Sequence, residues 1–300
     1  MARVLVITNP VAARTTEASC AQVVAAFECA GWTVDRWDTT CADDARKFAA
    51  QGIASGTDAI AVYGGDGTTM QAVAAIVGTE TPLVLVPGGT GNVLAGNLRI
   101  PSDPVEAVEA AVRGKLRRID LGRVMLADGA HYFGVACGAG VDARVMGETL
   151  PAEKRRWGIL AYVATTFRIL AHLRSTPTVI TVDGRRLEAP SVMVLILNCA
   201  EIIPGLVRIR PEIALDDGEL DLLVIAADSP LQAVRGALRV FGNSFGSIRE
   251  TSYLRYARGR EFRIETAESF PVQFDGDPVG RTPFSATVLP GALTVMVPGT

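Results

Sequence analysis

Thiol and imidazole groups are scarce in this 300-residue chain. The 5 cysteines, Cys20, Cys29, Cys41, Cys137 and Cys199, are odd in number and show no CxxC spacing, which argues against a disulfide framework and a zinc site. That usage fits the reducing cytoplasm. Only 2 histidines occur, His131 and His172, far apart and without an HxxxH or acid partner, so a His-based metal site or triad has no basis. Charge of one sign is missing as well: 29 Lys and Arg against 32 Asp and Glu leave a net charge of −3, with no global field to gather nucleic acid. No nucleic-acid partner is expected. Long apolar runs are also absent. The most apolar stretch, residues 192–207, carries Asn198, Glu201 and Pro204 and fails as a membrane span of about 20 apolar residues. Met1 to Thr8 reads as a strand and not as a secretory signal, so any membrane contact is expected to be peripheral, on the inner face. There is no internal repeat or low-complexity tract.

Against these absences stand two glycine-rich turns, Gly64-Gly65-Asp66-Gly67-Thr68 and Pro87-Gly88-Gly89-Thr90-Gly91-Asn92. Each follows an apolar strand, Ala59–Tyr63 and Leu83–Val86, and each opens into a helix. Consecutive βα units place both turns at one sheet edge, where backbone amides and helix N-termini attract anions. Glycine leaves no Cβ between the backbone and a phosphate oxygen. An Asp inside such a turn repels phosphate unless a cation intervenes, so Asp66 points to magnesium or to proton abstraction beside a nucleoside triphosphate. Either turn alone is explained by turning and capping; the pair, one with an acid and the other with Thr-Gly-Asn, favours phosphate chemistry. Neither follows the Walker spacing GxxxxGKS/T, and GxGxxG is absent from both.

A chain of 300 residues exceeds the usual single core, so its length fits two domains or, as the alternative, one large α/β barrel. Residues 1–122 alternate strand and helix: strand Val4–Thr8, helix Thr16–Ala30, strand Thr33–Trp37, helix Cys41–Ala54, then the two glycine units. This predicts a parallel α/β nucleotide-binding domain. Cys20, Val23, Val24 and Phe27 fall on one helical face, and Asp103-Pro104 starts a later helix. Residues 123–290 change to short apolar runs separated by Val182-Asp183-Gly184-Arg185, Asp217-Gly218 and Asp275-Gly276, which predicts an antiparallel, β-rich domain. Two helices interrupt it, Ala152–Arg174 and one opened by Ser229-Pro230 with Leu231, Val234, Leu238 and Phe241 on one stripe. The first mixes Trp157, Tyr162 and Phe167 with Lys154, Arg155 and Arg156; it reads as a half-buried helix or, alternatively, as one facing an anionic bilayer. Residues 291–300 end in a strand that belongs to either domain.

The residues Tyr63-Gly-Gly-Asp-Gly-Thr-Thr69 and Val86-Pro-Gly-Gly-Thr-Gly-Asn-Val-Leu-Ala95 resemble the diacylglycerol kinase catalytic family, which includes bacterial lipid kinases and the sphingosine and ceramide kinases. The resemblance spans nearly the whole chain and is strongest at 62–98 and 211–224. It implies a phosphofructokinase/NAD-kinase-like α/β domain, a sandwich-like antiparallel second domain, and an active site in the interdomain cleft, also lined by Gly138 to Ala143. It also implies ATP as phosphate donor, Mg²⁺, and a lipid acceptor at the membrane surface. Nucleotide contacts implied by it are Asn9, Thr40, Gly64, Gly65, Gly67, Thr68, Gly88, Gly89, Thr90, Gly91 and Asn92.

Asp216-Asp217-Gly218-Glu219 reads by itself as a turn before a strand, although adjacent carboxylates with backbone carbonyls also suit a hard cation. The resemblance implies magnesium held by Asp217 and the carbonyls of Ala214 and Glu219, with Asp120 reaching it through water. Asp275-Gly276-Asp277 likewise reads as a β-turn, while relatives carry an acid pair there, so Asp275 and Asp277 resemble active-site acids. Asp66 is the first candidate for proton acceptor, with Asp275 or Asp277 behind it. Departures from the family pattern include Met70-Gln71 where many relatives have Asn-Glu, Val93 where some have Asp, and Val11-Ala-Ala-Arg14 after Asn9-Pro10. The rival readings are a soluble NAD-kinase-like enzyme and a catalytically silent lipid- or nucleotide-binding protein. An antiparallel edge strand also offers a route to a homodimer.

Overall fold

The computed structural model describes residues 1–126, 129–140, 175–227, 229–241 and 251–299. The chain divides into two compact units, Met1–Ile119 with Gly291–Thr300, and Asp120–Pro290. The first break falls a little before Gly122. The predicted helix Ala152–Arg174, the segment 141–143 and His172 lie outside the described residues.

The first unit runs β1 (Arg3–Thr8), α1 (Glu17–Cys29), β2 (Thr33–Asp38), α2 (Asp44–Ala54), β3 (Ala59–Gly64), α3 (Asp66–Ile76), β4 (Leu83–Pro87), α4 (Val93–Asn97) and α5 (Pro104–Val112). Its strands are parallel in the order β2-β1-β3-β4. Val4, Leu5, Val6 and Ile7 are all buried, as expected where helices cover both faces of a parallel sheet. Val4, Val6, Ala59, Ala61, Val84 and Val86 share one core with Cys20, Val23 and Phe27 of α1 and with Val108 and Ala111 of α5. Opposite them, α2 passes so close to the sheet that a Cβ on Gly52 would lie 2.7 Å from Leu5 Cδ2.

Local chemistry sets the helix ends. Thr16 and Ser19 form a reciprocal capping box at α1, and Asp103 caps α5 by accepting the Val105 and Glu106 amides, with Pro104 in the first turn. Helix α2 starts at Asp44 and not at Cys41. The Asp44 carboxylate takes the amides of Thr40 and Cys41, and Asp43 sits at φ 72, so the chain turns before it coils.

Beyond α5 come β5 (Lys115–Leu126), β6 (Gly129–Phe133), β7 (Ala136–Gly140), β8 (Thr176–Val182), β9 (Arg185–Ser191), β10 (Met193–Leu197), β11 (Glu201–Ile203), β12 (Val207–Arg208) and β13 (Leu220–Ile225). Helix α6 (Pro230–Phe241) follows, then β14 (Leu254–Gly259), β15 (Glu261–Thr266), β16 (Pro271–Phe274), β17 (Asp277–Arg281) and β18 (Phe284–Val297). One antiparallel sheet has the order β14-β13-β10-β7-β16-β17. In the other, β15 lies between β8 and the start of β18, and β9 pairs with β8. Val194, Ile196, Leu222 and Val224 from the first sheet share a core with Ile180, Phe262, Ile264 and Ala286 from the second, so the second unit is a β-sandwich. The far end of β18 belongs to the first unit and pairs parallel with β4, Val295 opposite Leu83.

Two hairpins form where the sequence predicts them. Asp183-Gly184 and Asp275-Gly276 have φ of 47° and 79°, and of 47° and 97°, the left-handed pair that a two-residue turn of matching twist requires. The stripe predicted for the Ser229 helix needs correction. Ala233, Gly236 and Val240 are buried, whereas Leu231 and Leu238 are 60% and 55% exposed. Small residues face inward because the helix packs close: a Cβ on Gly236 would stand 3.1 Å from Ile225 Cγ2.

Candidate active site

In the first unit, Asn9 follows β1, Thr40 follows β2, and the two glycine turns follow β3 and β4. With β1 between β2 and β3, and β4 beside β3, all four segments lie along the carboxyl edge of one parallel sheet. The turns touch. Gly88 N–H donates to the Gly64 carbonyl at 2.8 Å, and a Cβ on Gly89 would fall 2.5 Å from Gly65 Cα, so the contact requires a glycine at 89. Asn92 shapes the second turn from within: at φ 46° its Oδ1 accepts the Gly89 amide at 2.9 Å and its Nδ2 donates to the Gly89 carbonyl at 2.8 Å. Thr90 and Gly91 are exposed at its tip.

Asp66 clasps one turn to the other. It is the first residue of α3, and its Oδ1 accepts the Val93 amide at 2.8 Å and the Leu94 amide at 3.5 Å. Burial pushes its carboxyl above the usual range, against the amides of Leu94, Val93 and Asn92, which pull it down. Thr68 is buried, and its hydroxyl accepts the Asn9 Nδ2 donor at 2.8 Å, which ties the end of β1 to the first turn. Thr40 donates both its amide and its hydroxyl to Asp44. Gln71 accepts the Asp43 amide at 3.2 Å and so steadies the entry to α2. Gly64, Gly65, Asp66, Thr69, Asn92 and Leu94 line a small cavity between the turns.

In the second unit, the Asp217 turn is positioned by Asp120. The Asp120 amide donates to the Leu215 carbonyl at 2.6 Å, and its carboxylate accepts the Gly218 amide at 2.7 Å. Asp120 thus holds the turn by its backbone at both ends, from Leu215 to Gly218. Asn198 is fully buried and donates to the carbonyls of Asp120 and Gly134. Asp217 Oδ1 accepts the Glu219 amide at 3.0 Å, and its Oδ2 is ion-paired with Arg258. Arg258 also meets Glu219 at 2.9 Å. Asp221 is buried beside them, bonded to the Tyr256 hydroxyl, and desolvation pushes its carboxyl up to about 6 despite Arg258 nearby. One carboxylate with backbone carbonyls is a donor set of the kind a hard cation takes. Among the described residues, however, no three or more His, Cys, Asp and Glu side chains group to hold a metal.

Asp275 occupies the β16–β17 turn with both carboxylate oxygens on backbone donors: Gly134 at 2.7 Å, Val135 at 2.9 Å and Ala136 at 2.8 Å. Asp277, two residues on, is exposed. Sequence reasoning missed Arg258, Asp221, Tyr256 and Asn198. The alternation Arg255-Tyr-Ala-Arg258 marks a strand, but only the β13–β14 register, with Asp221 opposite Arg258, shows which acids that strand meets.

Comparisons with known proteins agree with this architecture. A family model described as the diacylglycerol kinase catalytic domain matches residues 3–124, and one described as the YegS C-terminal NAD kinase beta sandwich-like domain matches residues 135–297. A diacylglycerol kinase of Mycobacterium tuberculosis is 30% identical over 261 residues, covering 86% of this chain and 82% of that one. A diacylglycerol kinase of Bacillus subtilis is 27% identical over 287 residues, covering 94% and 92%. A solved Bacillus anthracis structure superposes with a TM-score of 0.82 at 25% identity, over 98% of this chain and 96% of that one. Among the described residues no helix is long and apolar enough to cross a membrane. Two matched domains and relatives aligned over most of its length place the chain in the diacylglycerol kinase catalytic family of ATP-dependent lipid kinases.

Proposed function

We propose that this lipid kinase phosphorylates the hydroxyl of diacylglycerol at a membrane surface, and that the two glycine turns of the first unit together hold the triphosphate of ATP. The observation that carries the reading is the contact of the turns through Gly65 and Gly89, which gathers backbone amides and the N-terminus of α3 at one place. In-line transfer forms a bond from the lipid hydroxyl oxygen to the γ-phosphorus and breaks the bond to the β–γ bridging oxygen. The amides of the turns offset charge on the phosphoryl oxygens.

The hydroxyl proton needs an acceptor. Asp66 fits this role best, because burial raises its affinity for a proton while the Val93 amide fixes its orientation. Asp275 has both oxygens on backbone amides and is better suited to shaping the Gly134–Ala136 segment. Asn9, Thr68, Asn92 and Asp44 act as positioning residues for the sheet edge. Mg²⁺ would supply Lewis-acid charge neutralisation; Asp217 with the carbonyls of Ala214 and Glu219 has the hard oxygen donors for such an ion, and Asp120 aligns that turn.

Exposed Leu206, Leu231 and Leu238 in the second unit, with exposed Arg235 and Arg239 on α6, support peripheral docking on an anionic bilayer. The test is transfer of labelled phosphate from ATP with magnesium to diacylglycerol in mixed micelles, beside a sphingoid base, phosphatidylglycerol and NAD. Label is expected in phosphatidic acid. Label in NAD, or in none of the acceptors, contradicts the reading.

A further inference from the structure

The positive charge at the Asp217 turn comes from the chain itself. Strands β13 and β14 pair antiparallel with Asp221 opposite Arg258, which carries the Arg258 guanidinium back over the turn that precedes β13. There it bonds Asp217 Oδ2 and, through Nε, Glu219 Oε2 at 2.9 Å. With Glu219 N–H on Oδ1, both oxygens of Asp217 have partners, and one partner is a cation. Around it stand Asp221, 1% exposed, with Oδ1 on the Tyr256 hydroxyl and Oδ2 lacking a hydrogen-bond partner, and Arg210, 4.0 Å over the Tyr256 ring.

The planar guanidinium presents separate donors in a fixed fork, and here one edge meets Asp217 while Nε meets Glu219. A divalent cation arriving at Asp217 would meet a like charge already in contact with the same oxygen. We propose that Arg258 is the resident counter-cation of the Asp217 turn and competes with a divalent cation for the Asp217 carboxylate. The inference rests on Asp217 being a cation ligand, as assigned under the function above. It makes the turn rigid without metal and sets how readily metal enters.

The test is Mn²⁺ binding to the nucleotide-free full chain, followed by electron paramagnetic resonance, with thermal melting in the presence and absence of Mg²⁺. Arg258→Gln is expected to bind Mn²⁺ at least tenfold more tightly than the wild type, and adding Asp217→Asn should abolish that gain. Arg258→Lys, the milder change should the Gln variant fold poorly, is expected to fall between the two. Melting of Arg258→Gln should rise with Mg²⁺ while the wild type responds little. Affinity at or below the wild-type value in both Arg258 variants, with Asp217→Asn still weakening wild-type binding, would leave the cation site standing and overturn the competition. No saturable Mn²⁺ binding in any variant would overturn the ligand assignment and the competition together.

Discussion

Gly89→Ala is the most direct perturbation of the paired turns. Gly89 does not have a positive φ, so its backbone is open to alanine and the cost is steric. The new Cβ would stand 2.5 Å from Gly65 Cα and 3.0 Å from Asn92 Oδ1. Carbon atoms in contact prefer about 3.5–4.0 Å, so the turns must separate by about 1 Å. Overpacking of that kind costs about 1–3 kcal/mol. A displacement of about 1 Å at a reacting centre lowers turnover about 10²-fold. The reciprocal change is the control. A Cβ on Gly65 would lie 3.4 Å from Gly89 Cα, near ordinary contact, so Gly65→Ala should cost below about 1 kcal/mol. Urea unfolding gives the stabilities, and labelled-ATP transfer gives turnover. Equal losses of stability for the two variants, or wild-type turnover in Gly89→Ala, would refute the reasoning.

Three further outcomes follow from the geometry. Asp66→Asn keeps an oxygen to accept the Val93 amide, so the fold and the binding of a non-hydrolysable ATP analogue should persist while turnover falls by about 10²–10⁴; near-normal turnover removes Asp66 as proton acceptor. Asp275→Ala deprives three amides of their acceptor and should destabilise the protein by about 3 kcal/mol or more, at about 1–3 kcal/mol for each unsatisfied group; unchanged urea unfolding would mean that these bonds do not matter. The Asp44 carboxyl lies below its usual range, chiefly through the Cys41 thiol and then the Thr40 and Cys41 amides. A depressed acid contributes stability above its unfolded value, about 3.9, and loses it as pH falls further. The stability difference between wild type and Asp44→Asn should therefore shrink below about pH 4. A difference independent of pH refutes it.

The legible parts of the chain were those governed by near neighbours. Apolar runs at residues 4–8, 59–63 and 83–86 with glycine behind two of them gave the parallel sheet and the glycine turns at its carboxyl edge, and Asp103-Pro104 announced a helix start that the Asp103 carboxylate makes. Asp183-Gly184 and Asp275-Gly276 announced hairpins. What stayed hidden depended on pairing across distance. Asp275 reads as a turn acid, and only the fold brings the amides of Gly134 to Ala136 to it from about 140 positions away in the chain. Arg258 reads as a strand-end charge until β13 fixes Asp221 opposite it. The Ser229 helix buries Ala233, Gly236 and Val240 and leaves Leu231 and Leu238 exposed, because a face without large leucines suits its close approach to Ile225, where a Cβ on Gly236 would stand 3.1 Å from Cγ2. Helix α2 started late because the Asp44 carboxylate, three residues past Cys41, takes the Thr40 and Cys41 amides and Asp43 turns to φ 72° before coiling begins.

Titration of isotope-labelled protein with ATP and magnesium, read from backbone amide shifts, tests the shared cradle most directly. The amides of Gly65 and Gly67 and those of Gly89 to Gly91 should move together with one binding constant, and Gly89→Ala should weaken both sets. Shifts confined to one turn, or lying wholly outside the carboxyl edge of the parallel sheet, would contradict it.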